Sequence, residues 1–286
     1  MSSESGRVSL AASPGRYRVR VRRIGFRPFY SDVISLPRGD ELVLRVESPR
    51  VVLDAMVVSA KRQCGAISRD AQTLSEAWEE ISKALRASQL TATDLSAIGT
   101  SRVFKREVSP SGHALSADTT ILPAARGRPF AAIDPSSLLR NGFVRGNPVA
   151  GWDYFGPDER VLLSPAFAAT HCFRIARDRS RPGELGVSFE PVSGRRISDI
   201  RGVLWLDVAS SELREITFRF VNVEPVSSFG AGGFTRFRRM PSGAWIVSEW
   251  QLRMPKLAVR AGRAGAPGLP TLVGYHENGG VVTDSK

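Results

Sequence analysis

The chain has 286 residues, of which 42% are apolar and 24% are charged, as in ordinary globular proteins. The longest apolar stretch, residues 51–60, has only about half of the roughly 18 uninterrupted apolar residues that a membrane-spanning helix requires. The sequence also has no internal repeat and no heptad series. These features exclude a transmembrane helix, a solenoid and a coiled coil.

The charge is strongly positive, with 40 basic and 28 acidic residues and a formal net charge of +12. Such a surplus permits binding to nucleic acid, anionic lipid or acidic polymers. The basic residues are 35 Arg and 5 Lys, a bias that a GC-rich genome would produce on any surface. We therefore favour a solvated basic surface over a dedicated polyanion site, and we do not expect nucleic acid as the partner.

The first 60 residues alternate between apolar and polar side chains in the manner of β-strands. The pattern predicts short strands at residues 6–10, 16–23, 33–36, 41–46, 51–53 and 56–58. In the second of these, Tyr17, Val19 and Val21 would face the core. The opposite side would carry Arg16, Arg18, Arg20 and Arg22, either as an anion-binding stripe or as protection of an exposed strand. Several short strands joined by turns are typical of a β-sandwich.

One amphipathic helix follows. Thr73 and Glu76 fit a capping box, and apolar side chains recur at helical spacing from Leu74 to Leu85. We expect this helix to begin at Thr73 and to end near Ser88.

From residue 90 the pattern again predicts strands, at residues 101–108, 117–122, 152–155, 161–163, 173–177 and 186–191. A short helix is expected over residues 134–139, with Asp134 as its N-cap and Pro135 in its first turn. Two amphipathic hairpins, 202–206 with 214–220 and 234–240 with 244–254, favour a curved antiparallel sheet with one apolar face. The Gly- and Pro-rich residues 259–286 are expected to form a flexible tail.

The stretch from Gly15 through Tyr17 and Val19 to Val21, followed by Gly25 and Phe26, resembles the carboxypeptidase regulatory-like domain, a transthyretin-like β-sandwich. Residues 53–60 resemble the closing strand of that family, so the likeness covers about residues 5–60. The family's opening strand pair is missing, and we therefore expect a truncated module whose leader has been lost. The resemblance implies an exported bacterial envelope protein. Taken alone, the amino terminus has no leader pattern and would indicate the cytoplasm.

The two cysteines, Cys64 and Cys172, are either buried thiols or one disulfide, depending on the compartment. His171 precedes Cys172 on an expected strand, so the two side chains point to opposite faces and cannot easily form a catalytic dyad. The compartment that the resemblance implies favours the disulfide. The Cα atoms of Cys64 and Cys172 should then lie about 4.4–6.8 Å apart. We expect no metal site and no cofactor, since two cysteines and three scattered histidines do not supply a structural zinc site.

Catalytic motifs are missing from the sequence, and we predict no catalytic residues. Acidic residues beside Gly or Pro more often serve in turns and caps than as acid–base groups, and this applies to Asp153, Asp158, Glu159 and Asp207. Five aromatic residues either line an apolar, lipid-binding groove or form the core, namely Trp205, Phe218, Phe220, Trp245 and Trp250.

These observations predict a mainly β protein made of a partial sandwich (1–60), a linker with one helix (61–89), an antiparallel β domain (90–258) and a tail (259–286). The expected function is that of a non-catalytic, envelope-associated binding or structural protein, with envelope proteins, lipid or polysaccharide as possible partners. A polyanion-binding protein and a hydrolase of unrecognised type are the alternatives.

Overall fold

The structure, a computed structural model, describes residues 12–21, 29–37, 40–45, 64, 70–92, 99–123, 130, 133–147, 151–240, 243–259 and 269–284. The chain divides into two compact units, residues 1–50 and 51–286. Antiparallel strands dominate both units, which confirms the mainly β fold. The division falls outside the described residues, so the limit expected at residue 60 stays a prediction.

The first unit contains two antiparallel strand pairs. Strand β1 (Gly15–Tyr17) pairs with β4 (Ile34–Leu36), and β2 (Arg20–Val21) pairs with β3 (Phe29–Tyr30). The single strand expected over residues 16–23 is therefore wrong. It is interrupted because the backbone N–H of Val19 donates to the Ser31 hydroxyl, at 2.9 Å, instead of to a neighbouring strand.

Two further expectations for this unit are wrong. Residues 41–45 form no strand. Tyr17 does not fill a core, because its side chain is exposed and its hydroxyl donates to the backbone oxygen of Ser13 at 2.8 Å. The strands expected at residues 6–10, 51–53 and 56–58 lie outside the described residues.

The second unit is built on one large sheet. Its helices are α1 (Ala71–Ala92), α2 (Pro135–Asn141), α3 (Glu159–Leu162) and α4 (Pro165–Thr170), with a 3-10 helix at Val226–Phe229. Its strands are β5 (Gly99–Val108), β6 (Ala114–Pro123), β7 (Val144–Asn147), β8 (Gly151–Tyr154), β9 (His171–Ala176), β10 (Glu184–Pro191), β11 (Asp199–Asp207), β12 (Leu213–Val221), β13 (Gly232–Arg239), β14 (Trp245–Val259) and β15 (Pro270–Asp284). Nine of them form an antiparallel sheet in the order β6-β5-β15-β14-β13-β12-β11-β10-β9, and β7 and β8 form a separate hairpin.

Local capping explains where the helices agree with or depart from the sequence pattern. The side chain of Asp134 accepts from the N–H of Ser137 at 2.8 Å and caps α2 as expected. Asp158 caps α3 in the same way, through the N–H of Val161, so the strand expected at residues 161–163 is wrong. Helix α1 begins at Ala71 and ends at Ala92, beyond the limits that the capping box indicated.

The tail expected at residues 259–286 is the clearest error, because residues 270–284 form an interior strand of the sheet. Its glycines make room for aromatic rings instead of conferring flexibility. A side chain at Gly280 would collide with the ring of Trp250, and one at Gly279 with the ring of Phe104. Glycine in a strand interior often marks such a close approach.

The core lies on one face of the sheet, here called the helix face. The register places Phe218 of β12 opposite Gly202 of β11, and Gly202 opposite Phe189 of β10. Phe189 is in turn opposite Phe173 of β9, whose ring contacts that of Trp78 on α1 with centroids 5.0 Å apart. Helix α1 therefore covers this face, where it lies against β9–β12 and β14.

The opposite, outer face carries charged side chains in cross-strand rows. Glu277 of β15 is completely buried there and accepts from Arg106 on β5 at 2.6 Å and from Arg253 on β14 at 2.5 Å. Glu215 of β12 is buried in the same way between Arg181 and Arg236. Each carboxylate is thus desolvated but held by two guanidinium groups, which is the arrangement that makes a buried charge tolerable.

The disulfide between Cys64 and Cys172 is formed, with Cα atoms 5.5 Å apart, as predicted. It closes a loop of 108 residues between the segment before α1 and strand β9. A cross-link over so long a loop chiefly restricts the unfolded chain.

Replacing Glu277 with Gln should lower the free energy of unfolding by about 1–3 kcal/mol, because two guanidinium groups lose a charged acceptor. Urea denaturation measures this change. The matched control is Glu190→Gln, where both partners of the Arg174 ion pair are about half exposed and the expected loss is about 0–1 kcal/mol. Equal losses in the two variants would contradict the argument.

Replacing both Cys64 and Cys172 with Ser should lower the free energy of unfolding by about 4–5 kcal/mol, from loop closure alone. Urea denaturation of the oxidised protein and the double variant gives the difference. The wild type treated with a thiol reductant serves as the control and should match the variant. Unchanged unfolding midpoints would show that the cross-link does not restrict the unfolded chain.

Candidate functional site

A cleft of about 760 Å³ opens on the helix face where the cover provided by α1 ends. Helix α1 lies over β9–β12 and β14, whereas the sheet continues through β15, β5 and β6. Residues of β5, β6, β14 and β15 form the floor of the cleft, and Trp152 and Tyr154 of β8 with Pro225 form a wall. The volume is within the range of about 300–1,000 Å³ that is common for ligand sites.

The strand register arranges the floor in two rows. Met254 of β14, His276 of β15 and Glu107 of β5 lie side by side in the first row, which ends at Ser116 of β6. Asn278 of β15, Lys105 of β5 and Asp118 of β6 form the second. Polar groups of different kinds therefore repeat across the floor at the spacing between strands, about 4.7–4.9 Å.

The charges of the floor balance one another. The Lys256 ammonium lies 3.1 Å from the Glu107 carboxylate, and Nδ1 of His276 lies 3.8 Å from it. Lys105 and Asp118 are cross-strand neighbours of opposite charge. The floor thus offers both donors and acceptors without a surplus of either sign.

The wall carries an aromatic pair with an unused polar group. The Tyr154 ring contacts that of Phe220, with centroids 5.6 Å apart, which fixes the β7–β8 hairpin to the sheet. Its hydroxyl is buried and has no hydrogen-bond partner. Burial raises the pKa of Tyr154 from 10.0 to about 12. Because the hydroxyl is buried, the contribution of Tyr154 to the wall of the cleft is aromatic contact area and not a hydrogen-bonding group.

The register argues against hydrolysis by a serine nucleophile in this cleft. Glu107 lies between Ser116 and His276, so the serine and the histidine are two strands apart, or about 9–10 Å. A general base must approach its nucleophile to about 2.6–3.2 Å. The arrangement can bind a molecule through hydrogen bonds and aromatic contact, but it does not activate Ser116.

The predicted arginine stripe is not carried by one strand. Arg16 lies on β1, Arg18 lies between the strands, and Arg20 lies on β2, whereas Arg22 lies outside the described residues. Arg16 and Arg18 are both exposed. Their binding of anions stays a prediction.

Of the two alternatives for the five aromatic residues, an apolar groove or the core, the structure favours the core, because all five side chains are buried, namely Trp205, Phe218, Phe220, Trp245 and Trp250. Phe218 and Phe220 belong to the core of the helix face. Trp205 lies opposite Glu215, on the outer face, beneath the guanidinium of Arg181 at 4.8 Å. The alternation of apolar and polar side chains along β12 identified the buried face of the strand. It could not show that other elements of the fold cover that face.

The pair His171 and Cys172 has separate structural roles, as its position on a strand indicated. Cys172 is in the disulfide. The imidazole of His171 is buried, stacked on Phe167 at 3.8 Å, with Nε2 lying 3.2 Å from the Asp199 carboxylate. Asp199 also pairs with Arg195, so the imidazole is part of an internal polar network.

Three of the four acidic residues weighed as catalytic groups have local hydrogen-bonding partners. Asp158 caps α3, and Glu159 accepts from the Ser88 hydroxyl at 2.7 Å. Asp207 accepts from the backbone N–H of Ser210, which lowers the pKa of its carboxyl. Asp153 is exposed on β8.

Six residues that line the cleft were not predicted from the sequence, namely Lys105, Glu107, Trp152, Tyr154, Lys256 and His276. Alternation along residues 101–108 placed Lys105 and Glu107 on one side of a strand, but His276 stands in the stretch expected to be a flexible tail. Without strand β15, the first row of the floor would lack His276 and the second row would lack Asn278.

Among the described residues, no three His, Cys, Asp or Glu side chains are grouped closely enough to hold a metal ion. Helices within the described ranges are all too short or too polar to span a bilayer. Comparison with known protein families, curated proteins and solved structures found no match.

Tyr154 should give a tyrosinate absorbance step near pH 12, which Tyr154→Phe should remove. Because the folded state holds this proton longer than the unfolded chain, the contribution of Tyr154 to the free energy of unfolding is lost as the pH rises from 10 toward 12. Alkaline ultraviolet titration measures the step. The control Tyr17→Phe, at an exposed ring, should retain it, and loss of the step in both variants would argue against burial as its cause.

Proposed function

We propose that this chain is a non-catalytic, envelope-associated binding protein and that the cleft beside β8 is its ligand site. The observation that carries the proposal is the composition of the cleft: Trp152 and Tyr154 form an aromatic wall beside a floor of polar side chains of both charges. Ligand sites typically combine apolar contact area with a few placed polar groups.

Two features support an exported location. The Cys64–Cys172 disulfide is of a kind that persists in oxidising compartments and is rare in the cytoplasm. Residues 5–60 resemble the carboxypeptidase regulatory-like domain, which is common in exported and outer-envelope bacterial proteins and is not catalytic there. The paired short strands at Gly15–Tyr17 and Ile34–Leu36 are compatible with such a module.

The chemistry of the cleft favours a ligand without a large net charge. Glu107 is flanked by Lys256 and His276, Lys105 by Asp118, and Arg106 donates to Glu277, so the basic groups of the lining are already paired and two of the carboxylates would repel a polyanion. Trp152 and Met254 supply apolar contact area. A neutral or zwitterionic envelope component, such as a glycan fragment or a lipid headgroup with part of its chain, fits these groups.

Binding can be tested with defined envelope components: peptidoglycan muropeptides, a lipopolysaccharide core oligosaccharide and a short-chain phosphatidylethanolamine. Trp152 is the one half-buried tryptophan, since the other four are buried, so its fluorescence reports on the cleft. At least one probe should change this fluorescence and raise the Tm. A ligand at 100 times its Kd stabilises the folded state by about 2.7 kcal/mol.

Affinity is compared through the probe-dependent rise in Tm, because Trp152→Ala removes the fluorescent reporter. Trp152→Ala should lower affinity for that probe at least tenfold, and the matched control Val208→Ala, at an exposed apolar side chain on the β11–β12 turn, should leave it unchanged. Failure of all three probes, or equal affinity in Trp152→Ala, would contradict the cleft as the site. Chemical conversion of the bound probe, detected by mass spectrometry, would contradict the non-catalytic role. Heparin binding that falls steeply with salt would favour the polyanion alternative.

A further inference from the structure

Strand β6 is an edge of the nine-stranded sheet and is almost completely open to solvent. Every residue of Ala114–Pro123 is exposed except Leu122, which is half-buried. Among the described strands β6 pairs with β5 alone, so every second residue presents its backbone N–H and C=O outward. At the other edge of the sheet the first three residues of β9 are buried and the last three are exposed or half-buried, so β9 is less open than β6.

The middle of β6 lacks the features that normally prevent strands from pairing. The register shift opposite Glu107 and Val108 lies at the start of the strand, and Pro123 lies at its end. Between them, residues 116–122 contain a single charged residue, Asp118, and three β-branched residues in succession from Thr119 to Ile121. Such a segment favours a strand partner.

We propose that β6 pairs with β6 of a second copy of this chain, antiparallel and centred on Thr119. This register places Ala117 opposite Ile121 of the second copy and Asp118 opposite Thr120. No like charges then face each other across the junction, and the exposed Ile121 side chain gains an apolar neighbour on the outer face. A second copy supplies the complementary edge by symmetry, because the same strand serves on both sides.

The net charge of the chain predicts how the dimer responds to salt. Two copies, each with a net charge of +12, repel one another, and salt screens that repulsion. Association through β6 should therefore strengthen with salt, opposite to the salt dependence of polyanion binding. The dimer does not depend on the ligand of the cleft, although Ser116 and Asp118 also line that cleft.

Sedimentation equilibrium of the full chain over about 1–100 μM, at low and high salt, tests the proposal. The wild type should form dimers whose fraction rises with salt. Ile121→Lys puts a charge near the junction of each copy and should weaken association at least tenfold. The matched control Val208→Lys replaces an equally exposed apolar side chain on the β11–β12 turn and should dimerise like the wild type.

A second measurement does not rely on a disruptive substitution. Both native cysteines are bonded to each other, so Thr119→Cys introduces one reactive thiol per chain. Directly opposed residues of antiparallel strands have Cα atoms about 4.5–5.5 Å apart, within the range for a disulfide. Mild oxidation should cross-link Thr119→Cys between copies and leave Val208→Cys monomeric. A monomeric wild type, a dimer unaffected by Ile121→Lys, or Thr119→Cys without cross-linking would each overturn the proposal.

Discussion

The apolar helix face of the nine-stranded sheet must be kept from water, and the element that covers it is narrower than the sheet. A helix is about 10–12 Å across with its side chains, whereas nine strands span close to 40 Å. Helix α1 with Trp78, together with the short helices and the β7–β8 hairpin, buries β9–β12 and β14. Toward one end of β15 and β5 the side chains on this face change from apolar, as at Val282 and Val103, to polar, as at His276 and Lys105. The cleft is the direct result of this change.

The charge distribution follows the two faces of the same sheet. On the outer face, Glu215 and Glu277 are each buried between two arginines, and the guanidinium of Arg253 also lies 4.8 Å from the Tyr275 ring. Planar guanidinium groups suit this use, because they can donate to a carboxylate while stacking on an aromatic ring. Part of the basic surplus in the sequence is therefore structural. The net charge overstates how many arginines in this sheet are available to an external anion.

Local signals in the sequence predicted those parts of the fold that depend on neighbouring residues. The alternation of Ile216, Phe218 and Phe220 identified their buried side, and Asp134 identified the start of α2. The disulfide was predicted from compartment and confirmed by geometry. What failed depended on distant partners: glycines 279 and 280 indicate flexibility until the rings of Phe104 and Trp250 are placed against them. The cleft was missed for the same reason, because Glu107 and His276 are 169 positions apart in the sequence and become neighbours only through the pairing of β5 with β15.

The burial of β9 at the far edge has a consequence for assembly. If both edge strands of the sheet were open, each added molecule would leave one unpaired edge strand for the next. The protein could then polymerise into filaments. Here the first three residues of β9, including the disulfide-bonded Cys172, are buried, whereas β6 is exposed along almost its whole length. Pairing of β6 with β6 uses this edge of both molecules at once, so assembly through it is self-limiting.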